Sequence, residues 1–459
     1  MFMALFAVVF ISITIIILFG CIKNFRTVVQ KRILIIVLGD VGRSPRMQYH
    51  ALSFAKEGFE VNIVGFDNSP LIQELQDEEL VHVVPLSEPP VKPRLLPRLL
   101  FYLAKTIFLF LQLIIIVLWK TSKHSHILVQ NPPAIPTLAA AWLLCLIRQS
   151  HFIIDWHNYG YTILSLTIGS KNPLVRFSKF YEGIFGRMAA YNICVTQTMK
   201  EDLKKRWNVT ATTLYDRPPK RFKSVDENAR HTIFLKLSES YDVFKSVKNE
   251  NTTETRFTTT VSGRTTLIPD RPALLISSTS WTEDEDFSIL FEALQQYDKM
   301  TEASKLPNLV CVITGKGPLK AYYQDIISKT DFDHVEICTP WLEAEDYPTL
   351  VGSADLGICL HTSSSGLDLP MKVVDMFGCG VPVCAIGFSC LHELVKHDEN
   401  GLVFHGPEQL AEHLQELLAG FPRNQSSLDK FRENLKNFQE KRWHPCWKET
   451  FFDRVFTKK

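Results

Sequence analysis

Short apolar runs recur along this chain of 459 residues, and stretches with helical periodicity separate most of them. Runs such as RILIIVL (32–38) and EVNIVGF (60–66) lack the alternation of polar and apolar residues that marks a half-exposed strand. They are typical of strands buried on both faces, as in parallel sheets covered by helices on each side. The pattern stops in a polar stretch, 220–268, and restarts with ALLISS (273–278).

This pattern predicts an α/β protein with two Rossmann-like, doubly wound domains. Ligands bind such sheets outside the carboxyl ends of the strands. We expect the two domains to face each other across a cleft, which domain closure can shield from water. The predicted segments are a membrane anchor with its basic flank (1–30), an N-terminal Rossmann-like domain (31–219), a linker with a polar insertion (220–268), a C-terminal Rossmann-like domain (269–425) and a C-terminal helical segment (426–459).

Residues 2–20 form the first candidate membrane segment. The run carries no charge, and ~19 residues at a rise of ~1.5 Å nearly cross a hydrocarbon layer of ~30 Å. A cleaved signal peptide is the alternative, but no basic residue precedes the run and no clear small-x-small cleavage site follows it. We predict a retained, single-pass anchor. Its basic flank KNFRTVVQKR (23–32) leaves the large C-terminal body in the cytosol by the positive-inside rule.

A second apolar run, LLFYLAKTIFLFLQLIIIVLW, occupies 99–119. It lies between two strand-like runs, contains Lys105, and follows a loop of prolines and basic residues. These features favour a helix that packs on the sheet and also dips into the membrane surface, with a second membrane span as the alternative. The shorter apolar run at 134–147 is predicted to be a packed helix.

Charge and cysteine content restrict the partners and the compartment. The net charge of +1 gives no sign of a polyanion partner such as DNA, so no nucleic acid is expected. The ten cysteines form neither a CxxC pair nor a disulfide framework, which favours reduced thiols in a reducing compartment.

The first strand ends in GDVGRSPRM (39–47). Gly42 permits a tight turn, and Ser44 followed by Pro45 is a good start for a helix, whose free N–H groups can bind an anion or a polar sugar. The third glycine of the dinucleotide fingerprint GxGxxG is missing, so a nicotinamide cofactor is not indicated. A purely structural turn stays the alternative.

Two groups that can accept a proton follow another strand, in DWHNYGYT (155–162). Asp155 and His157 could each take a proton from a hydroxyl group. Tyr159 and Tyr161 could stack on a sugar ring. A hydrogen bond from the His/Asp pair to a loop is an equally simple explanation of these residues.

In the C-terminal domain, one loop that follows a strand is acidic and another contains a lysine. Four acidic residues at 283–286 favour the start of a helix, and capping explains them better than their formal match to a metal-binding DxD motif. Lys316, in ITGKGP (313–318), is a candidate phosphate contact.

A third loop, SSSGLDLPMKVVD (363–375), places Lys372 in the first turn of a predicted helix. A cation there opposes the helix dipole at a cost of about 0.3–1 kcal/mol, and a bound diphosphate would reverse that sign. Ser365 and Gly366 lie in the polar loop before the helix. Asp375 could accept hydrogen bonds from two ribose hydroxyls, and a surface pair between Lys372 and Asp375 is the alternative.

Together, these segments resemble the family of chitobiosyldiphosphodolichol β-mannosyltransferases of the endoplasmic reticulum, nearly from end to end and including the anchor. The resemblance implies the two-domain GT-B glycosyltransferase fold. It implies transfer of the first mannose from GDP-mannose to dolichyl-diphosphate-chitobiose on the cytosolic face of the endoplasmic reticulum membrane. Other mannosyltransferases of lipid-linked oligosaccharide assembly are then candidate partners. No tightly bound cofactor is expected, and Mg²⁺ bound with the diphosphate is left open.

On this basis we hypothesise roles for the candidate residues. The C-terminal domain would hold the nucleotide sugar through Lys316, Ser365, Gly366, Lys372 and Asp375, and the N-terminal domain would hold the acceptor through Gly42, Arg43 and Tyr159. One base, Asp40, Asp155 or His157, would take the proton of the acceptor in an inverting reaction that gives a β-1,4 linkage.

One departure from the wider GT-B group is visible. Its retaining members carry an E-x7-E pair. Here Asp375 occupies the second place, Leu367 falls on the first, and Asp368 lies one step later. This fits an inverting reaction. The alternatives are another membrane-bound GT-B glycosyltransferase that uses a UDP-sugar, an inactive homologue that acts as a scaffold, and a two-domain sugar-nucleotide epimerase.

Overall fold

The computed structural model describes residues 31–89, 98–247, 254–282 and 285–457. The predicted anchor at 2–20 and its flank up to residue 30 lie outside these ranges, as do Glu283 and Asp284. The chain divides into two compact units, the first formed by residues 1–215 with 444–459 and the second by residues 216–443.

Unit 1 is built on a seven-stranded parallel sheet with the order β3-β2-β1-β4-β5-β6-β7. Its core strands have no exposed position between their ends, which confirms the prediction of strands buried on both faces. The strands are Arg32–Asp40 (β1), Glu60–Phe66 (β2), Val81–Pro85 (β3), His126–Asn131 (β4), His151–Trp156 (β5), Tyr191–Cys194 (β6) and Thr212–Thr213 (β7).

Helices cover this sheet between successive strands. The run predicted at 99–119 forms one long helix, α3, and the run at 134–147 forms a packed helix, α4, as predicted. The helices are Pro45–Lys56 (α1), Gln73–Gln76 (α2), Arg98–Lys120 (α3), Thr137–Arg148 (α4), Gly160–Ile168 (α5), Pro173–Met188 (α6) and Gln197–Trp207 (α7). Among the described residues, α3 alone is long and apolar enough to cross a membrane, a statement about length and composition only.

Unit 2 contains a six-stranded parallel sheet with the order β12-β11-β10-β13-β14-β15, and a separate antiparallel hairpin, β8-β9. The strands are Thr258–Val261 (β8), Arg264–Leu267 (β9), Ala273–Ser278 (β10), Leu309–Thr314 (β11), Val335–Cys338 (β12), Leu356–Cys359 (β13), Val383–Ile386 (β14) and Gly401–Phe404 (β15). The helices are Glu227–Ser238 (α8), Phe287–Ser304 (α9), Lys320–Ser328 (α10), Asp346–Ser353 (α11), Met371–Gly378 (α12), Pro407–Leu418 (α13) and Ser426–Glu440 (α14).

The two sheets and their helices confirm the predicted α/β fold class with two Rossmann-like domains. The nine described cysteines are all free, and eight of them are buried, which agrees with reduced thiols.

The segment 220–268 differs from the predicted linker. Outside 248–253, which the structure does not describe, it contains α8 and the β8-β9 hairpin. Phe234, Phe244 and Phe257 pack their rings within 4.8–6.0 Å of one another in the core of unit 2. Sequence periodicity missed this core because its three rings are separated by polar residues and meet only in the folded unit.

The predicted C-terminal helical segment is divided between the units. Its first part, α14, packs in unit 2. Residues 444–457 belong to unit 1, and they include most of the short helix Trp443–Trp447 (α15) and all of the short helix Asp453–Phe456 (α16). Trp447 is fully buried there. It stacks on Phe452 and meets the edge of Phe54 from α1, at ring-centroid distances of 5.2 and 4.8 Å.

We expect Trp447→Ala to destabilise unit 1 by about 3–5 kcal/mol, because it removes a large side chain from a packed core. Thermal unfolding of the full chain, with limited proteolysis of the C-terminal segment, measures the effect. Trp341→Ala is the matched control, since Trp341 is 52% exposed. Equal stability of the two variants would contradict the packing role of Trp447.

Candidate active site

In unit 1, Asp155 is the centre of the polar residues at the carboxyl end of the sheet. Its side chain is fully buried. It accepts hydrogen bonds from Arg46 Nε (2.8 Å) and Nη2 (3.0 Å), from His50 Nε2 (3.0 Å) and from His157 Nε2 (2.9 Å). Burial opposes its charge, but Arg46, His157 and His50 outweigh burial and hold the pKa of Asp155 well below its usual range.

The three partners of Asp155 have different environments. Burial lowers the pKa of His50, so this ring is neutral, and its Nδ1 accepts a hydrogen bond of 2.8 Å from Trp447 Nε1. Arg46 is buried and also donates to the carbonyl oxygen of Leu214 (3.0 Å). The side chain of His157, by contrast, is 22% exposed, and it is the partner that can reach a ligand.

Asp40 organises its own loop. It accepts hydrogen bonds from the N–H of Gly42 (3.3 Å), from the N–H of Asn68 (3.3 Å), and from the N–H (3.2 Å) and hydroxyl of Ser69. Burial opposes ionisation, but these hydrogen bonds outweigh it and lower the pKa of Asp40. A carboxylate stabilised in this way is a weak base.

The predicted acceptor contacts lie in the same unit but differ in accessibility. The side chain of Arg43 is 82% exposed and lies 3.5 Å from the Asp40 carboxylate. A Cβ at Gly42 would lie 2.4 Å from the carbonyl oxygen of Ser69, so close chain packing explains this glycine.

Tyr159 is fully buried between Tyr161 and Trp207, and it donates a hydrogen bond of 2.9 Å to Asp202. Its burial argues against the predicted contact between Tyr159 and the acceptor. The neighbouring ring of Tyr161, which is only partly buried, is the more accessible of the two.

In unit 2, Lys372 forms an ion pair with Glu285. The pair brings together the first turn of α12 and the segment before α9. Glu285 also accepts hydrogen bonds from Thr279 Oγ1 (2.6 Å) and from the N–H of Ser280 (2.6 Å), just after the end of β10. Burial opposes its charge, but His361 and Lys372 outweigh burial and lower the pKa of Glu285. Glu285 thus offsets the unfavourable position of Lys372 in the helix dipole.

A second cation, His361, completes this cluster. It follows β13, and its ring nitrogens lie 3.7 Å from Glu285 and 3.9 Å from Asp368. Burial alone would lower its pKa, but the two carboxylates raise the pKa of His361 to about 9. The cluster therefore brings two basic groups, Lys372 and His361, together with the carboxyl groups of Glu285 and Asp368.

The loop before α12 is shaped by its own hydrogen bonds. Ser363 Oγ accepts from the N–H of Gly366 (2.9 Å) and Ser365 Oγ accepts from the N–H of Leu367 (3.2 Å), while Ser363 donates to Asp368. Gly366 has a φ of 72°, a conformation that favours glycine. Ser365 and Gly366 thus give the loop its shape, and their contact with a nucleotide sugar stays a prediction.

The other two predicted residues of unit 2 are placed differently. Lys316 lies over the ring of Trp341, with Nζ 3.6 Å from the ring centroid, and its described contacts do not include Lys372. Asp375 is partly buried. Burial raises its pKa to about 8; the charge of Arg221 opposes this rise, and that of Asp216 adds to it. The alternative of a Lys372–Asp375 pair is not what forms, because Lys372 pairs with Glu285 instead.

Sequence patterns suggested a different role for Glu285 and did not identify His361 as a member of this cluster. The acidic run 283–286 was explained by capping, which holds for Asp286, whose carboxylate accepts from the N–H of Ser288 at the start of α9 (3.0 Å), but not for Glu285. His361 was not identified, although it follows a buried strand as His157 does. That shared position was the available signal.

Comparison with known proteins decides the family. Residues 262–439 match the family model for glycosyl transferases group 1. A Homo sapiens chitobiosyldiphosphodolichol β-mannosyltransferase is 48% identical over 431 residues, covering 93% of this chain and 92% of that protein. The chain belongs to the chitobiosyldiphosphodolichol β-mannosyltransferase family. A relative from Arabidopsis thaliana, the UDP-glycosyltransferase TURAN, is 41% identical and covers 91% of this chain and 96% of its own length.

Solved structures support the fold of this mannosyltransferase family member. A sucrose-phosphate synthase from Thermosynechococcus elongatus aligns with a TM-score of 0.60 at 13% identity, covering 93% of this chain and all of its own. Anabaena HepE in complex with UDP-glucose aligns with a TM-score of 0.58 at 15% identity, covering 92% and 96%. At these identities the likeness shows the GT-B glycosyltransferase fold alone.

The raised pKa of His361 predicts a pH dependence of stability. The folded pKa of about 9 exceeds the ordinary value of 6.5, so the charge of His361 contributes fully below pH 6.5 and this contribution is lost as the pH rises through about 9. We expect the free energy of unfolding to fall across that interval, and to fall less in His361→Gln. Thermal unfolding at a series of pH values, with the exposed His405→Gln as control, measures the difference. Parallel curves for wild type and His361→Gln would show that the two carboxylates do not hold the charge.

Proposed function

We propose that this protein transfers the first mannose from GDP-mannose to the terminal GlcNAc of dolichyl-diphosphate-chitobiose, in a β-1,4 linkage and with inversion. The observation that carries the proposal is the 48% identity over 93% of the chain to a protein whose name specifies this acceptor and a β-mannosyl product. The acceptor hydroxyl attacks the anomeric carbon, the bond from that carbon to the diphosphate breaks, and GDP leaves.

Unit 2 is proposed to hold the donor through the Lys372 cluster. A nucleoside diphosphate needs cations and free N–H groups, and Lys372, the protonated His361 and the first N–H groups of α12 lie in one segment of the chain. Glu285 holds Lys372 in place before the donor arrives. In the reaction, these groups stabilise the negative charge that develops on the departing diphosphate. Ser365, Gly366 and Lys316 are proposed additional contacts.

Asp375 is proposed to bind the ribose of the donor. Burial raises its pKa to about 8, which favours the protonated form of this carboxyl group more than is usual. Hydroxyl groups that donate to it would favour the ionised form and lower that pKa on binding.

Of the three candidate bases, His157 fits best. Protonation of Asp155 would leave the buried Arg46 without a counter-charge, and Asp40 is held ionised by its loop. His157 instead directs Nε2 to Asp155, which leaves Nδ1 to accept the proton of the acceptor hydroxyl. Asp155 then stabilises the imidazolium that forms, as a buried carboxylate can.

The protein is proposed to act on the cytosolic face of the endoplasmic reticulum membrane, held by a single span at 2–20. This location suits an acceptor that carries a dolichyl chain, and it suits free cysteines. Mg²⁺ stays a proposal as a companion of the diphosphate. Within the described ranges no group of three or more His, Cys, Asp or Glu side chains could hold a metal, so such an ion would take its ligands mainly from diphosphate and water.

A UDP-sugar donor is the second candidate, because one relative is named a UDP-glycosyltransferase. The deciding experiment incubates purified full-length protein with a lipid-linked chitobiose analogue and GDP-mannose, UDP-glucose or UDP-GlcNAc. We expect product with GDP-mannose alone, and NMR of the product to show a β-mannosyl linkage. An α-linked product or preferential use of a UDP-sugar would refute the proposal.

Lys372→Ala should lower turnover by about 10²-fold or more, because it removes a donor that stabilises the charge on the leaving group. Steady-state kinetics with saturating acceptor measures the loss. Lys329→Ala is the matched control, since Lys329 is also a lysine of unit 2 in an ion pair, with Asp325. Near-normal turnover by folded Lys372→Ala would show that the diphosphate does not bind at this cluster.

His157→Ala should slow the chemical step by about 10²-fold or more, while the affinity for GDP-mannose stays unchanged. Single-turnover kinetics and donor titration separate the two effects. His151→Ala provides the control, because His151 lies at the opposite end of the same strand, β5, and is exposed. If the chemical step is retained in His157→Ala, another group is the base.

A further inference from the structure

One helical layer of unit 1 exposes many large apolar side chains. Helices α3, α4, α6 and α5 lie side by side, since α3 contacts α4, α4 contacts α6 and α6 contacts α5. On α5 and α6, Leu166 is 68% exposed, Phe177 is 54% exposed and Phe180 is 61% exposed. Large apolar side chains exposed on adjacent helices of a folded protein are typical of a site of interaction.

The exposed side chains on α3 follow a regular spacing. Leu103, Ile107, Ile115 and Trp119 are separated by multiples of four residues; each step of four turns by about 40°, so these exposed side chains spread over roughly 160° of the helix circumference. The opposite face is buried against unit 1 through Leu109, Leu113 and Val117, which also follow each other at intervals of four. The exposed apolar side chains from Leu103 to Trp119 thus extend along about 24 Å of the helix, at a rise of ~1.5 Å per residue.

The charges of this layer have one sign at the surface. Helices α3, α4 and α5 contain no acidic residue, and the one carboxylate of α6, Glu182, is fully buried. The exposed charged groups around the apolar side chains are basic, and they include Lys120, Lys171, Arg176 and Arg187. Exposed apolar and aromatic side chains together with exposed cations on the same helices complement the surface of a bilayer with anionic headgroups.

We propose that helices α3 to α6 form a membrane-binding layer that lies in the plane of an anionic bilayer. The exposed leucine, isoleucine and aromatic side chains enter the boundary between headgroups and acyl chains, and the basic side chains contact lipid phosphates. This contact extends beyond the in-plane helix predicted at 99–119, because it includes α5 and α6, and it is separate from the anchor at 2–20. A protein partner would be expected to meet some acidic groups on such a large surface, and none is exposed on these helices.

The layer is joined directly to the proposed base. Helix α5 begins at Gly160, three residues after His157. Glu182 of α6 accepts hydrogen bonds from the N–H groups of Gly160 (2.8 Å) and Tyr161 (3.2 Å), so α6 is tied to the start of α5. As a consequence that rests on the proposed function, membrane binding by α5 and α6 sets the height of His157 above a bilayer that carries the lipid-linked acceptor.

The test measures depth in the bilayer and needs no catalysis. Full-length protein is reconstituted in vesicles that contain phosphatidylserine, with a nitroxide label on Leu166→Cys, Phe177→Cys or Phe180→Cys. We expect the labels to be more accessible to oxygen, which dissolves in the acyl region, than to a polar nickel complex. Glu74→Cys, on exposed α2 of the same unit, should show the reverse. The unsubstituted protein gives the background, because its described cysteines are buried except the partly exposed Cys446.

Two results would overturn the proposal. Labels at the three sites that respond as Glu74→Cys does would place the layer in water. Labels shielded from both reagents would place it against protein, from another copy or a partner. Replacement of Arg176 and Arg187 by glutamate tests the role of charge. It should reduce the depth of the label at Phe177→Cys in anionic vesicles. An unchanged depth would show that these arginines do not contact lipid phosphates.

A kinetic measurement tests the consequence for catalysis. The double variant Phe177→Asp with Phe180→Asp should lower transfer to a long-chain lipid acceptor by about tenfold, and leave transfer to a short-chain, water-soluble acceptor unchanged. Equal loss with both acceptors would reject the positioning of His157 by the membrane. Labels at the expected depth in a wild-type protein that forms no product would instead identify a failure of the proposed function alone.

Discussion

Both sheets are parallel and their central strands are buried on both faces, so polar side chains reach solvent mainly at the ends of these strands. This constraint brings together the groups that matter in each unit. Asp155 lies near the carboxyl end of β5 in unit 1 and His157 directly follows that strand, and Glu285 and His361 lie near the carboxyl ends of two strands in unit 2. The strands themselves carry few polar side chains. Because the strands are buried, the loops that follow them hold charged side chains at defined distances from one another.

Each unit then compensates its buried charge in its own way. In unit 1 a single carboxylate, Asp155, is shared by an arginine and two histidines, and the neutral His50 also accepts a hydrogen bond from Trp447. In unit 2 two carboxylates and two cations balance each other around Lys372. The first arrangement leaves one ring partly exposed beside a permanent negative charge, which suits the transfer of a proton. The second leaves two cations beside the start of a helix, which suits an anionic ligand.

In helices α3 to α6 of unit 1, large apolar side chains are exposed, whereas the one carboxylate, Glu182, is buried. The inner face of α3 packs on the protein, while its outer face continues an apolar surface over α5 and α6. The hydrogen bonds of Glu182 connect this surface to the loop of His157. The proposed membrane-binding layer and the proposed base are therefore neighbours in unit 1.

The sequence by itself determined the two α/β units, because uninterrupted apolar runs at strand length leave few other folds, and it located Asp155, His157 and Lys372 at strand and helix ends. The family resemblance rested on those same motifs. Only the tertiary structure decided what these residues contact. The pairs Lys372–Glu285 and Arg46–Asp155 join residues 87 and 109 positions apart, and local patterns carry no signal of such distances. Burial of the Tyr159 ring, packing of 220–268 and return of 444–457 to unit 1 likewise depend on long-range contacts between side chains, which arise only when the whole unit is folded.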